Sequence, residues 1–144
     1  IAAEHAIFGQ NGPRVGSPAS GAIVSYLTRV IGAKRAREMW MLCRRYTAQQ
    51  ALEMGLVNAV VSMAKLDEEV GKWCGELLAL SPTCLRILKA SFVEEFGYLF
   101  GQGDQFRRYM TTPEFWEEEQ QEGARAFLEK RPPDFSRFRR RRSK

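Results

Sequence analysis

Apolar residues recur along most of this chain at the i, i+3, i+4, i+7 spacing that gathers them on one side of a helix. Ile23, Leu27, Val30 and Ile31 make the first such stripe, predicting a helix over 20–31 with Ser20 as its cap and Gly32 as its stop. Ala36, Met39, Trp40 and Cys43 make the second, over 33–44, leaving Lys34, Arg35, Arg37 and Arg44 to solvent. Thr47-Ala-Gln-Gln50 has the spacing of a capping box, and Gly55 suits the position just past a helix end, so a short helix is expected over 48–54. Leu66, Val70, Trp73, Cys74, Leu77 and Leu78 stripe a helix over 65–80. Ser81-Pro82 restarts one that carries Leu85, Leu88, Phe92, Phe96 and Leu99 until Gly101 and Gly103 break it. A short helix over 104–110 and a final one over 114–130 precede Pro132 and Pro133. Only 3–9 and 56–62 read as strands, so everything after Ser62 is predicted to be helical.

The stretch 8–26, FGQNGPRVGSPASGAIVSY, interrupts the pattern. It holds four of the chain's twelve glycines and two of its six prolines. Gly12, Gly16 and Gly21 allow positive φ and close approach of a ligand to the main chain, while Pro13 and Pro18 stiffen the path between them. The helix that follows aims its N-terminal N–H groups back at the loop, an arrangement suited to an anionic or polarised oxygen. The same composition also fits a plain strand-to-helix connection.

At 144 residues and 44% hydrophobic, the chain can bury one core. No apolar run approaches the ~18 residues that a membrane-spanning helix requires. A strand at the very start, with no partner strand before Leu56, gives the expectation that this is the C-terminal half of a larger protein. The net charge is +5, but Arg137, Arg139 to Arg142 and Lys144 lie in the last eight residues, so the body is close to neutral and the tail is basic. Such a tail suits nucleic acid, an anionic membrane surface or an acidic partner, or is simply a solvated end. Cys43, Cys74 and Cys84 are odd in number, lack CxxC spacing and fall in helical patterns, which predicts reduced, core-filling residues. His5 is the only histidine and stands apart from any serine and aspartate pattern, and no grouping of His, Cys, Asp and Glu suggests a metal. Glu114, Glu117, Glu118, Glu119 and Glu122 read as a solvated acidic face at a helix start. Phe127 and Lys130, three apart and so on one helical face, put a ring beside an ammonium group and suit a nucleotide's base and phosphate.

Five blocks, AIFGQNGPRVGS, SYLTRVIGAKRAREMW, YTAQQALEMGLVNAVV, SPTCLRILKASF and EGARAFLEKRPPDFS, occur in an order that resembles the C-terminal half of the crotonase (enoyl-CoA hydratase/isomerase) superfamily, over about residues 1–138. The details GQ-x-GP-[KR]-VGS and KRPPD are most similar to its 1,4-dihydroxy-2-naphthoyl-CoA synthase branch, of menaquinone biosynthesis. The resemblance implies an α/β, crotonase/ClpP-like fold. Residues 1–62 would be the end of the ββα spiral core with the active-site loop 8–26, residues 63–136 a helical oligomerisation region, and residues 137–144 a basic disordered tail. It further implies a cytoplasmic homo-trimer or hexamer acting on an acyl-CoA substrate, with no membrane or nucleic-acid partner and no tightly bound cofactor.

The resemblance also implies roles for individual positions. Hydratases carry a catalytic glutamate where this chain has Gly12; synthases with glycine there are thought to use a hydrogencarbonate as base, held around Gln10, Asn11 and Gly12. Substrate contacts would fall on Asn11 and Ser17, a catalytic phenol on Tyr109, and contacts to the adenosine and phosphate end of CoA on Phe127 and Lys130. Two departures stand out: the synthase's catalytic aspartate is Ala19 here, and a nearby functional serine is Val24. No carboxylate remains anywhere in 8–26. An insertion between Thr111 and Glu122 separates Tyr109 from the final helix. Both oxyanion-hole amides of the family lie in its N-terminal half, so this chain alone is expected to be inactive. The reactions implied are ring closure through a thioester enolate, ring opening of 2-ketocyclohexanecarboxyl-CoA, or hydratase/isomerase chemistry; a non-catalytic CoA-ester- or RNA-binding protein is the other class.

Overall fold

The structure, a computed structural model, describes residues 1–92 and 111–138. The stretch expected as one strand over 3–9 is two: β1 (Ala2–Ala3) and β2 (Ile7–Gly9). A turn closed by the Ala6 N–H on the Ala3 carbonyl, at 2.9 Å, separates them and passes the chain from one ladder to another. β1 pairs in parallel with β4 (Val60–Val61), and β2 pairs antiparallel with β3 (Arg45–Thr47), with Phe8 opposite Tyr46. The opening strand therefore does find a partner before Leu56, contrary to the sequence reading. β3 escaped notice because three residues wedged between two helices carry no period of their own. β4 is shorter than the expected 56–62 because the N–H groups of Leu56 and Val57 fold back onto the Ala51 carbonyl at 2.8 and 3.3 Å.

The first two helices, α1 (Ala22–Ile31) and α2 (Ala33–Leu42), meet at Gly32, whose φ of 81° lets the chain reverse within one residue. Gly21 rather than Ser20 precedes the first turn of α1, with a φ of 65°. α2 ends at Cys43, in the left-handed conformation. The capping box of α3 (Ala48–Glu53) is formed as expected: the Thr47 hydroxyl accepts the Gln50 N–H at 3.2 Å and the Gln50 amide oxygen accepts the Thr47 N–H at 2.9 Å. Leu27, Ile31, Ala36, Met39 and Met54 form the core, with Val30, Trp40, Tyr46 and Leu56 packed against it. Everything in that core lies within the first sixty residues.

Beyond Ser62 the described chain is helical, as expected: α4 (Leu66–Leu78), then α5 over 82–92, started by the Ser81 hydroxyl accepting the Cys84 N–H at 3.4 Å. The apolar stripe of α4 is present but uncovered; Trp73, Leu77 and Leu78 all stand exposed, and the Trp73 indole N–H turns to the Glu69 carboxylate at 2.8 Å. Cys74 and Cys84 are exposed too, so of the three cysteines only Cys43 fills the core as predicted. Among the described residues no helix is long and apolar enough to cross a membrane. The helix expected over 104–110, with Tyr109, and the tail residues 139–144 lie outside the described residues. The last helix begins at residue 113, widens into a π-turn over Phe115–Glu119 and continues as α6 (Gln120–Leu128).

Candidate active site

The glycine loop folds into a tight turn. The N–H groups of Arg14 and Val15 reach the Asn11 carbonyl at 3.0 and 3.2 Å, and the Ser17 N–H closes on the Gly12 carbonyl at 2.9 Å. A Cβ at Gly12 would stand 2.9 Å from the Ser17 carbonyl oxygen, so this turn leaves no room for a glutamate there. Gly16, with a φ of 66°, brings the loop backbone against α6: a Cβ on it would meet the Gln120 Cα at 2.8 Å, and one on Gly123 would meet the Val15 carbonyl carbon at 2.4 Å. Two glycines a hundred residues apart thus let main chain lie directly on main chain.

Two cavities flank this seam. One, of about 430 Å³, is lined by Pro13, Ser17, Ala19, Val24, Trp40 and Glu119 among others, and Glu119 is the only ionisable residue of its wall among the described residues. The other, of about 390 Å³, is lined by Asn11, Arg14, Arg45, Phe127 and Arg131, with no carboxylate among its lining residues. Arg131 is already matched, since its guanidinium donates to Glu122 at 2.7 and 3.0 Å and to Glu129 at 2.6 Å. Arg14 and Arg45 have no ion-pair partner among the described residues, so their charges face the cavity uncompensated.

The acidic run is not simply a solvated face. Glu122 is buried, and it accepts the Asp134 N–H at 2.9 Å besides both bonds from Arg131. Arg131 foremost, then the Asp134 N–H, holds its carboxyl down to about 2. Hydrogen bonds to Glu122, and next to Glu129, raise the Arg131 guanidinium above its ordinary range. This clasp folds the Lys-Arg-Pro-Pro-Asp segment back along α6.

Phe127 and Lys130 do not share a helical face. α6 stops at Leu128, and Lys130 sits beyond it at a φ of 55°. The Lys130 N–H bonds to the Phe127 carbonyl at 3.2 Å and the Arg131 N–H to the Ala126 carbonyl at 3.0 Å, the two bonds of a Schellman end. The ring of Phe127 remains two-thirds exposed beside the arginine cavity. Asn11 lines that cavity and Ser17 the other, while Gln10 and Gly12 belong to the turn between β2 and the seam. Tyr109 lies outside the described residues, and His5 is exposed in the turn between β1 and β2.

Trp40 bears on the hydrogencarbonate expectation. Its ring carbon Cζ3 comes within 4.0 Å of where a Gly12 Cβ would be, and its buried indole N–H has no acceptor among the described residues. Cζ3 lies across the indole from Nε1, so ring carbon rather than the donor faces Gly12, and the orphaned N–H does not mark an oxyanion there. Trp40 packs against the core as the sequence reading expected, while Arg14 and Arg45 were missed. Each looked like an ordinary member of its element. Among the described residues, no three His, Cys, Asp or Glu side chains gather as a metal site.

Residues 1–138 match the family described as enoyl-CoA hydratase/isomerase, and the chain belongs to that family. Its fold is the α/β crotonase fold. A methylmalonyl-CoA decarboxylase in complex with 2-nitronate-propionyl-CoA is 28% identical with a TM-score of 0.80, over 94% of this chain and 53% of its own. An enoyl-CoA hydratase subunit from Geobacillus kaustophilus HTA426 is 36% identical with a TM-score of 0.60, over 94% and 53%. An enoyl-CoA hydratase from Mycobacterium avium subsp. paratuberculosis K-10 is 26% identical with a TM-score of 0.73, over 92% and 54%. The chain therefore spans about half the length of these structures.

Proposed function

We propose that this chain forms one side of an acyl-CoA site working through a thioester enolate, with the acyl group over the Gly12–Ser17 turn and the phosphates of CoA in the arginine cavity. The observation that carries the reading is that one turn lines both cavities, one largely apolar and the other edged by two unpaired guanidiniums and an exposed phenyl ring. A thioester of CoA has that polarity: a modest acyl group at one end, and phosphates with a planar base at the other. Arg14 and Arg45 bind phosphate through charge-assisted bonds, Phe127 offers its face to adenine, and Lys130 adds a further positive charge.

Removal of an α-proton from a thioester leaves an enolate, stabilised when two N–H groups are already aimed at its oxygen. Those donors come from the part of the family's fold beyond the span of this chain, so the chain alone is inactive in this reading. Hydrogencarbonate, held by the backbone around Gln10, Asn11 and Gly12, adds an exchangeable acid–base group when bound. Tyr109 offers its phenol to an oxygen of the substrate.

The reaction proposed is ring closure of succinylbenzoyl-CoA with loss of water, the 1,4-dihydroxy-2-naphthoyl-CoA synthase type. A second reading, hydrolytic opening of 2-ketocyclohexanecarboxyl-CoA, is favoured by Ala19 and Val24, which line the cavity where the synthase carries polar side chains. Assays of the intact protein with both CoA esters, with and without hydrogencarbonate, separate the two. Turnover of neither, together with CoA-ester binding, marks a non-catalytic binder. Absence of binding sinks the proposal.

A further inference from the structure

We infer that Glu119 supplies the acyl cavity with the carboxylate that the glycine loop lacks, and acts there as a proton acceptor. The inference rests on the proposed acyl-CoA reading and adds a residue to it. No carboxylate lies in 8–26, and Gly12 has no space for one. Yet the cavity over that loop is not without an acid–base group, because the π-turn preceding α6 brings Glu119 into its wall.

Three observations converge. First, among the described residues Glu119 is the only ionisable one in a wall otherwise made of glycine, proline, serine and apolar side chains, so it is the one described carboxylate to which a proton in this space can move. Second, Ala19 and Val24 line the same cavity with no polar group to offer, leaving Glu119 without a competitor from the loop. Third, the placement is rigid. The Gly16 and Gly123 contacts lock this helix to the loop backbone, with the Glu119 carbonyl oxygen itself 3.2 Å from where a Gly16 Cβ would be. The π-turn has a positional effect as well: with the Gln120 N–H bonded to the Phe115 carbonyl, five residues back, Phe115 and Glu119 both come to line the cavity. Single π-turns within helices recur at functional sites for such positional reasons.

The step is simple to balance. The Cα–H bond of the acyl group breaks, its electron pair passes into the thioester enolate, and the proton forms an O–H bond on the Glu119 carboxylate. Reversal returns the proton to carbon. Exchange of the α-protons with deuterated water therefore reports the step without requiring turnover.

The test uses the intact protein and a saturated acyl-CoA, with α-proton exchange followed by NMR and binding by calorimetry. E119Q is expected to slow exchange by about 10²–10⁴-fold while affinity for the CoA ester stays within about threefold. Placing a carboxylate elsewhere on the cavity lining, by A19D in the E119Q background, is expected to recover part of the rate, which a merely structural role for Glu119 would not allow. Exchange that survives in E119Q but disappears when hydrogencarbonate is removed overturns the inference and leaves the acyl-CoA reading intact. A wild-type protein that binds the ester without exchanging its α-protons overturns it likewise. No binding of the ester by the wild-type protein removes both.

Discussion

Glu122 and Arg131 meet face to face, Oε1 accepting from Nη1 at 2.7 Å and Oε2 from Nη2 at 3.0 Å, across nine residues that include the end of the last helix. Planar fork against planar carboxylate is the strongest geometry available to such a pair, and here it brings the Lys-Arg-Pro-Pro-Asp segment beside the glycine loop.

The clasp makes acid stability predictable. Because the Glu122 carboxyl titrates near 2 in the fold against an ordinary 4.5, its contribution is complete above pH 4.5 and vanishes as pH falls through 2. E122Q is expected to be less stable than the wild type at pH 7. The gap should narrow between pH 4.5 and pH 2, as read by urea unfolding of both proteins at several pH values. A gap independent of pH removes the electrostatic account.

The glycine seam predicts opposite signs for two identical substitutions. G123A forces a methyl into the Val15 main chain and should cost about 1–3 kcal/mol, with weaker CoA-ester binding as the helix lifts from the loop. G71A, in α4 with nothing within 4 Å of the new methyl, should stabilise by up to about 1 kcal/mol through helix propensity alone. Thermal unfolding of the pair checks both.

Lys130 allows charge and backbone to be separated. Its φ of 55° costs a non-glycine residue about 1 kcal/mol. K130G should therefore be more stable than K130A by about that amount, while both lose affinity for CoA esters equally. Equal stability would show that the left-handed turn is not strained.

Arg14 and Arg45 should each matter for the phosphates and not for the fold. R14A and R45A are each expected to weaken CoA binding about tenfold or more, a loss of about 1.4 kcal/mol, with little change in melting temperature. Binding of dephospho-CoA should fall less in at least one of them, because a phosphate is already missing.

What the sequence made legible was local. The Leu27–Val30–Ile31 part of the first stripe, the Thr47/Gln50 box and the Gly55 stop each depend on residues within one or two turns, and each appears where its spacing puts it, whereas Ile23 stands exposed. What it hid was made by distant segments meeting. Tyr46 opposite Phe8, Gly123 against Val15 and Arg131 on Glu122 have no short-range signature. Glu119 was hidden by its company, one glutamate in an acidic run, and Lys130 was misplaced by assuming that the helix continued two residues further. The stripe on α4 was read correctly as apolar, and its exposure was not legible, because periodicity reports which side of a helix is greasy and not what lies against it.

A join made of bare backbone has no rotamers with which to adapt. The Gly16–Gly123 contact must either hold as built or open as a whole, so the wall bearing Glu119 and the floor of the loop keep step. Drift in sequence can repaint either surface freely, but at these two positions even a single added carbon would part them.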